Sequence, residues 1–208
     1  MIQLYEFALS GNCHKVRLML SLLGIPYQSI AVNGATREHK SAAFLAKNPL
    51  GQVPVLVDGD VVLRDSQAIL VYLARQYGAE QADFWLPSDP VGQAQAQAWL
   101  ATAANEVTRG PNALRLFHKW GRNVALAEAE TITPQLMAVL ETTLCQQAWL
   151  AAPHITIADI ALYPYIALSI EGKVVLEQYP SVCRWLARIE ALPGYVDMPG
   201  IERQSPTN

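Results

Sequence analysis

Two hydrophobic spacings alternate along the first part of the chain, and only one of them continues afterwards. IQLYEF is a short apolar and aromatic run that reads as a strand. In SGNCHKVRLMLSLLG, residues Val16, Met19, Leu20 and Leu23 fall at i, i+3, i+4 and i+7, one face of a helix. Gly24 stops that helix and Pro26 follows. YQSIAV is a second strand, and Ala42 to Lys47 a short helix or turn. VPVLV and VVLR flank Asp58-Gly59-Asp60, a strong hairpin signal. Ser66 then opens a helix through Tyr77, with Gly78 past its end. The order β-α-β-α-β-β-α wants parallel or mixed pairing of the first three strands, with an antiparallel hairpin at the edge.

GAEQADFWLPSDP carries Gly, polar residues and two prolines and reads as a linker. Everything after it is helical. VGQAQAQAWLATAANEV is rich in alanine and glutamine, with high helix propensity. Gly110-Pro111 predicts a kink. In ITPQLMAVLETTLCQQAWL, residues Leu136, Val139, Leu140 and Leu144 are expected inward. IADIALYPYIALSI is apolar nearly all round, the mark of a buried central helix. Thr156-Ile157-Ala158-Asp159 before it has the form of a capping box. YPSVCRWLARIEAL is amphipathic, with Val182, Leu186 and Ile189 inward, and the tail GIERQSPTN is expected to be loose. The reading is residues 1–78 as a small α/β unit, 79–90 as linker and 91–208 as an all-α unit.

Bulk composition narrows the function classes. The chain has 208 residues, 51% hydrophobic and only 16% charged, with a net charge of −3. That balance argues against a nucleic-acid partner, which would want a basic stripe. No apolar run reaches membrane-spanning length. The start MIQLYEFALSGN has the form of neither a signal nor a transit peptide, so a cytoplasmic protein is expected. Cys13, Cys145 and Cys183 suggest no disulfide framework, and the latter two are expected in the core. His14, His39, His118 and His154 have no metal-ligand spacing, so no metal is expected.

Three local features carry candidate chemistry. Val53-Pro54 stands at a strand entry, where proline removes a ladder donor and a cis bond would aim a backbone amide out of the sheet. Ser66 opens a helix, where free N–H groups and the macrodipole favour an anion; a plain N-cap serine is the alternative. Cys13 at another helix start, beside His14 and Lys15, has reason for a lowered pKa.

NPLGQVPVLVDGD, LRDSQAILVYLA, TIADIALYPY and YPSVCRWLARIEALPGY together resemble the signature segments of the cytosolic glutathione transferases, over essentially the whole chain. The resemblance is to the serine types, theta-, phi- or delta-like and bacterial. It implies a thioredoxin-like N-terminal domain and an all-α helical-bundle C-terminal domain. It also implies a detoxification enzyme, generally a homodimer, that conjugates glutathione to small apolar electrophiles.

The same resemblance assigns residues. Pro54 would be cis and turn the Val53 main chain to the cysteinyl part of glutathione. Asp65 and Ser66, where the family has Glu or Gln followed by Ser, would hold the γ-glutamyl end. His39 and Lys40 resemble the pair aimed at the glycine carboxylate in the phi type, and Gln52 the glutamine that bonds the same end. The second substrate would lie between the domains, with Trp99, Ala103, Glu106, Arg109, Leu116 and Phe117 as the pool for its walls. Arg109, beside the expected kink, could meet an acidic substrate; an ion pair with Glu106 is the simpler reading.

A transferase must stabilise the glutathione thiolate, since a free thiol is mostly protonated at neutral pH. Ser10 resembles the family's serine before the first helix and would donate a hydrogen bond to sulfur, though it could equally cap the helix. Tyr5 lies inside the first strand and is read as a packing or pocket-wall residue. Cys13 is read as packing first and redox second; a mixed disulfide there would favour a glutathione-dependent disulfide or peroxide reductase. A non-catalytic binding or regulatory module with this fold is the third reading.

Overall fold

The computed structural model describes residues 1–202. Most of the tail expected to be loose, residues 203–208, lies outside the described residues. Strands β1 (Ile2–Glu6), β2 (Tyr27–Ala31), β3 (Val55–Asp58) and β4 (Val61–Arg64) form one sheet in the order β2-β1-β3-β4. β1 pairs parallel with β2 and antiparallel with β3, and β3 pairs antiparallel with β4. The mixed sheet with an antiparallel edge is the one that the helix crossover and the Asp58-Gly59-Asp60 hairpin predict.

Period-2 alternation decides what each face of the sheet meets. Ile2 and Leu4 point into the main core with Leu56. Over them pack α1 (Gly11–Leu22) and α3 (Ser66–Tyr77), through Val16, Met19 and Leu20, and through Ile69, Leu70 and Leu73. Tyr5 and Phe7 point the other way, into a small cluster with Phe44 of α2 (Ala42–Leu45), Val32 and Val55. Glu6 follows the inward parity and is 5% exposed. Its carboxylate is held by the Ser29 hydroxyl at 2.6 Å and by an ion pair with Arg17. A carboxylate left bare there would destabilise the sheet.

The stretch 79–90 is not a bare linker, because it holds a 3₁₀ turn, Ala79–Gln81, and a one-turn helix α4 (Ala82–Trp85). Trp85 is 6% exposed and anchors it to the main core. The helical part then runs through α5 (Pro90–Ala104), α6 (Glu106–Arg109), α7 (Pro111–Trp120), α8 (Leu126–Gln146), α9 (Ile157–Ala167) and α10 (Pro180–Glu190). The kink expected at Gly110-Pro111 is present, and a second break lies at Asn105, where ψ is −80°. Asn105 turns its own side chain to Glu106 at 2.8 Å and accepts from Arg109 at 3.0 Å. Such local bonds compete with helix continuation.

Every residue of α9 is buried. Its start is the expected capping box: the Thr156 hydroxyl accepts from the Ala158 N–H at 3.2 Å, and the Asp159 carboxylate accepts from the Thr156 N–H at 2.9 Å. Asp159 also accepts from the Leu150 N–H at 3.0 Å and the Trp185 indole at 2.9 Å. One buried carboxylate therefore ties α9 to α10 and to the turn after α8. α9 packs on both α1 and α3, which joins the helical part to the sheet part.

Two inward expectations fail. Val139 is 54% exposed, and Met137 takes the inward place beside Leu136 and Leu140. Cys145 is exposed and Cys183 half-buried, so neither is a core residue.

Candidate functional site

Two helix N-termini meet at one end of the sheet. Ser10 caps α1: its Oγ accepts from the Cys13 N–H at 3.3 Å. Asp65 caps α3, with its carboxylate accepting from the Gln67 N–H at 2.9 Å and the Ala68 N–H at 3.2 Å. Asp65 does so at a φ of 73°, a left-handed conformation uncommon for a side-chain-bearing residue. Ser66 is thus not the N-cap of α3 but its first residue. Its buried hydroxyl lies 3.3 Å from Asn12 Oδ1 and 2.8 Å from Gln67 Oε1. The Asn12–Ser66 contact couples the first turns of α1 and α3.

Tyr165 of α9 closes this end from below. It is 6% exposed. A Cβ on Gly11 would stand 2.8 Å from the ring's Cζ, so only glycine fits there. The phenol faces the Asn12 amide and the Ser10 hydroxyl; burial pushes its pKa up, and those two donors draw it back. From α7, the 2%-exposed Arg115 donates to the Leu9 carbonyl at 3.2 Å, pairs with Glu171 at 2.5 Å, and lies 4.6 Å over the Trp120 ring. The loop carrying Ser10 is therefore held by the helical part from two sides.

The segment before β3 forms the other half. The Val53–Pro54 peptide bond is cis. Pro54 is buried and Val53 half-buried, just before the first ladder pair, Tyr5 with Val55. Asn48, 2% exposed, donates to the Gln52 carbonyl at 2.7 Å and accepts from the Leu50 N–H at 3.1 Å. Lys40 donates to the Leu50 carbonyl at 2.9 Å. Gly51 has φ +58°, and a Cβ on it would meet the His39 carbonyl at 2.6 Å and Lys40 Nζ at 2.9 Å. Hence His39, Lys40 and Gln52 belong to one cluster around Gly51. Phe7 joins the two clusters: its carbonyl accepts from the Ser10 N–H at 3.2 Å, and its ring meets His39 edge-on at 5.4 Å.

The other two thiol-activating candidates face elsewhere. The Tyr5 ring packs on Phe44 at 6.3 Å, with Lys47 over it at 5.4 Å. Cys13 has zero exposure, and burial pushes its thiol up to about 11. The lowered pKa expected from a helix start beside two basic residues is overturned, because desolvation outweighs the hydrogen bonds with the Ser10 side chain and the Phe7 backbone. Both basic neighbours are themselves buried: His14 is pushed down to about 3 and Lys15 to about 7.

The six wall residues do not share one surface. Trp99, Glu106 and Arg109 line a groove of about 1120 Å³ with Gln135, Leu136 and Val139 of α8. Arg109 pairs there with Glu128 and donates to Asn105 Oδ1 at 3.0 Å, so its ion-pair partner is Glu128 and not the expected Glu106. Ala103, 1% exposed, is core, because α5 packs on α9. Leu116 is half-buried and Phe117 is 36% exposed, both beside Arg115 on α7. The breaks at Asn105 and Gly110 turn these segments to different neighbours.

Sequence reasoning passed over Asn12, Tyr165 and Arg115. Nothing in local pattern singles out Tyr165 or Arg115, whose partners in the Ser10 loop are more than 100 residues away. Among the described residues, no group of three or more His, Cys, Asp or Glu could hold a metal ion, and no helix is long and apolar enough to cross a membrane.

Comparison with known proteins gives a consistent picture. Residues 4–81 match the family model for the glutathione S-transferase N-terminal domain, and residues 115–193 that for the C-terminal domain. Human glutathione S-transferase theta-1 is 33% identical, over 93% of this chain and 84% of its own. A glutathione S-transferase from Pseudomonas fluorescens superposes with a TM-score of 0.87 at 32% identity, covering 95% of this chain and 98% of its own. A glutathione transferase homolog from Drosophila mojavensis, solved with bound glutathione, gives 0.83 at 30%, covering 92% and 88%.

Proposed function

Starting from the chain's membership of the cytosolic glutathione transferase family, we propose that it conjugates the thiolate of glutathione to small apolar electrophiles, with Ser10 stabilising the thiolate. The observation that carries this reading is the meeting of two capped helix N-termini, α1 at Ser10 and α3 at Asp65, through Asn12 and Ser66. Glutathione has an anion for each: the thiolate for α1 and the γ-glutamyl carboxylate for α3. Helix N-termini attract both.

The roles follow from donor counts. Ser10 Oγ already accepts from the Cys13 N–H, and its own O–H, which faces the Tyr165 phenol, turns to donate to sulfur when the thiolate is bound. The hydroxyl's pKa is too high for a base, so it lowers the thiol's pKa by donation and leaves the proton to solvent. Ser66, free of capping duty, donates to the γ-glutamyl carboxylate beside the exposed α3 turn. The Val53 main chain pairs with the cysteinyl part, and Gln52, His39 and Lys40, gathered around Gly51, take the glycine end. In the reaction, GS⁻ attacks the electrophilic carbon, the C–S bond forms, and the leaving group departs with its electron pair.

The electrophile enters over Leu9, Leu116 and Phe117, since Arg115 on the same helix touches the Leu9 carbonyl. Leu9 is 40% exposed, an apolar surface next to Ser10. Reductase chemistry through Cys13 draws no support from a fully buried thiol whose pKa is pushed up. Glutathione titrated calorimetrically into wild type and Ser66→Ala, followed by conjugation to an aryl halide, tests the whole reading. Binding weakened in the variant and turnover in the wild type are the expected results. No binding to wild type would overturn it.

A further inference from the structure

Lys15 lies on α1 with zero exposure, and its Nζ has no hydrogen-bond partner. The amine sits 5.4 Å from the centroid of the Tyr165 ring. α1 packs on α3 and α9, and the charged group that acts on Lys15 from α3 is Asp65. From α9 it meets the face of the Tyr165 ring, on whose phenol Arg115 of α7 and Cys13 of α1 act in turn. A helical side chain leans toward its helix N-terminus, so the amine is carried to the end where Asn12 meets Ser66.

A bare amine in such a place opposes folding, and burial presses it toward its neutral form. An unbranched apolar side chain would fill the same space without that penalty. In the free protein the charge meets only the field of Asp65 and the face of the Tyr165 ring, and no group hydrogen-bonds it. The use that remains is a partner that arrives, and the reading above brings an anion to the adjoining turn of α3.

We propose that Lys15 is the buried cation that compensates the γ-glutamyl carboxylate of bound glutathione, acting from beneath the first turns of α1 and α3. The inference rests on the glutathione site proposed above. In the free protein burial brings the amine's pKa down to about 7. Arrival of the carboxylate holds it as ammonium, so one proton passes from buffer to Nζ and no other bond changes. Lys15 is a positioning residue here, since it works through the field at the α3 start.

S-methylglutathione is the probe, because it has the carboxylate and no ionisable thiol. Its binding is followed calorimetrically at pH 7.5 in two buffers of different ionisation enthalpy. Wild type is expected to take up roughly half a proton more than Lys15→Met, if binding raises the amine by about one pKa unit. Lys15→Met should bind about tenfold more weakly at pH 6.5 and converge with wild type above about pH 9. Equal proton counts, or a wild-type affinity with no more pH dependence than the variant's, would overturn the role of Lys15 while leaving the glutathione site intact. A folding defect in Lys15→Met leaves the wild-type pH dependence to decide. No binding to wild type would overturn the site and this inference together.

Discussion

Ser66 Oγ lies 3.3 Å from Asn12 Oδ1, so the first turn of α3 and the first turn of α1 share one polar contact. That contact sets the spacing between the two anion-attracting helix ends. It also explains why Ser66 is buried although it opens a helix at the surface. Five measurements follow from the arrangement.

Ser66→Ala removes a donor and leaves the α3 cap in place, since Asp65 does the capping. A hydrogen bond to a charged group is worth about 1.5–3 kcal/mol. Glutathione affinity should therefore fall roughly ten- to a hundredfold, with a thermal midpoint within a few degrees of wild type. Unchanged affinity would remove Ser66 from the site.

Ser10→Ala removes both the α1 cap and the proposed donor to sulfur. The lost cap costs about 1 kcal/mol. The lost donor should lower kcat on the order of a hundredfold, by analogy with removal of one oxyanion donor. The pH at which conjugation reaches half its maximum should move up, because the bound thiol is then less acidic. A stability loss with an unmoved pH profile would leave Ser10 as a cap only.

Gly11→Ala sets a methyl against the Tyr165 ring, 2.8 Å from Cζ. Overpacking of this kind costs about 1–3 kcal/mol. The double variant with Tyr165→Leu should recover part of that loss, a coupling measurable in a thermal-unfolding cycle. Additive losses would show that the ring moves aside freely.

Native-state alkylation should label Cys145 first and leave Cys13 untouched. Cys145 is exposed, whereas Cys13 is fully buried with its thiol pushed up to about 11. Mass spectrometry of a brief iodoacetamide reaction distinguishes them. Early labelling of Cys13 would reopen redox chemistry at that position.

Stability should rise with pH in two windows. Lys15 is depressed from 10.5 to about 7, so between those values the unfolded chain binds more protons and the native state gains as pH rises. His14 is depressed from 6.5 to about 3, and its contribution is lost as pH falls through that lower range. Lys15→Met should therefore raise the thermal midpoint at pH 7, with the gain shrinking toward pH 10. A lower midpoint at pH 7 would mean that the buried amine is paired and stabilising. A stabilising change that weakens ligand binding is the usual signature of a residue kept for function.

Local pattern carried much of this protein. The mixed sheet, α1, α3, the buried α9 and its capping box all follow from spacing, turn residues and one four-residue motif. Ser10 and Ser66 were legible because a helix start is a local event with a local signature. Lys15 left a weaker trace: it shares the inward face with Met19, four residues on, where a charge is out of place.

Tertiary packing decided the rest. Cys13 looks activated from its neighbours in sequence, yet its pKa is set by desolvation, which depends on α9 lying over α1. Val139 fits the helical period of Leu136 and Leu140, but the period cannot say where one face ends, and the groove beside α5 leaves it exposed. Tyr165 and Arg115 reach the Ser10 loop from more than 100 residues downstream. Sequence by itself determined which segments are strands and helices and where their free ends lie, because those are short-range consequences of sterics and hydrogen bonding. Which side chains are stripped of water around those ends, and hence which of them carry charge, depended on the helices that close over them.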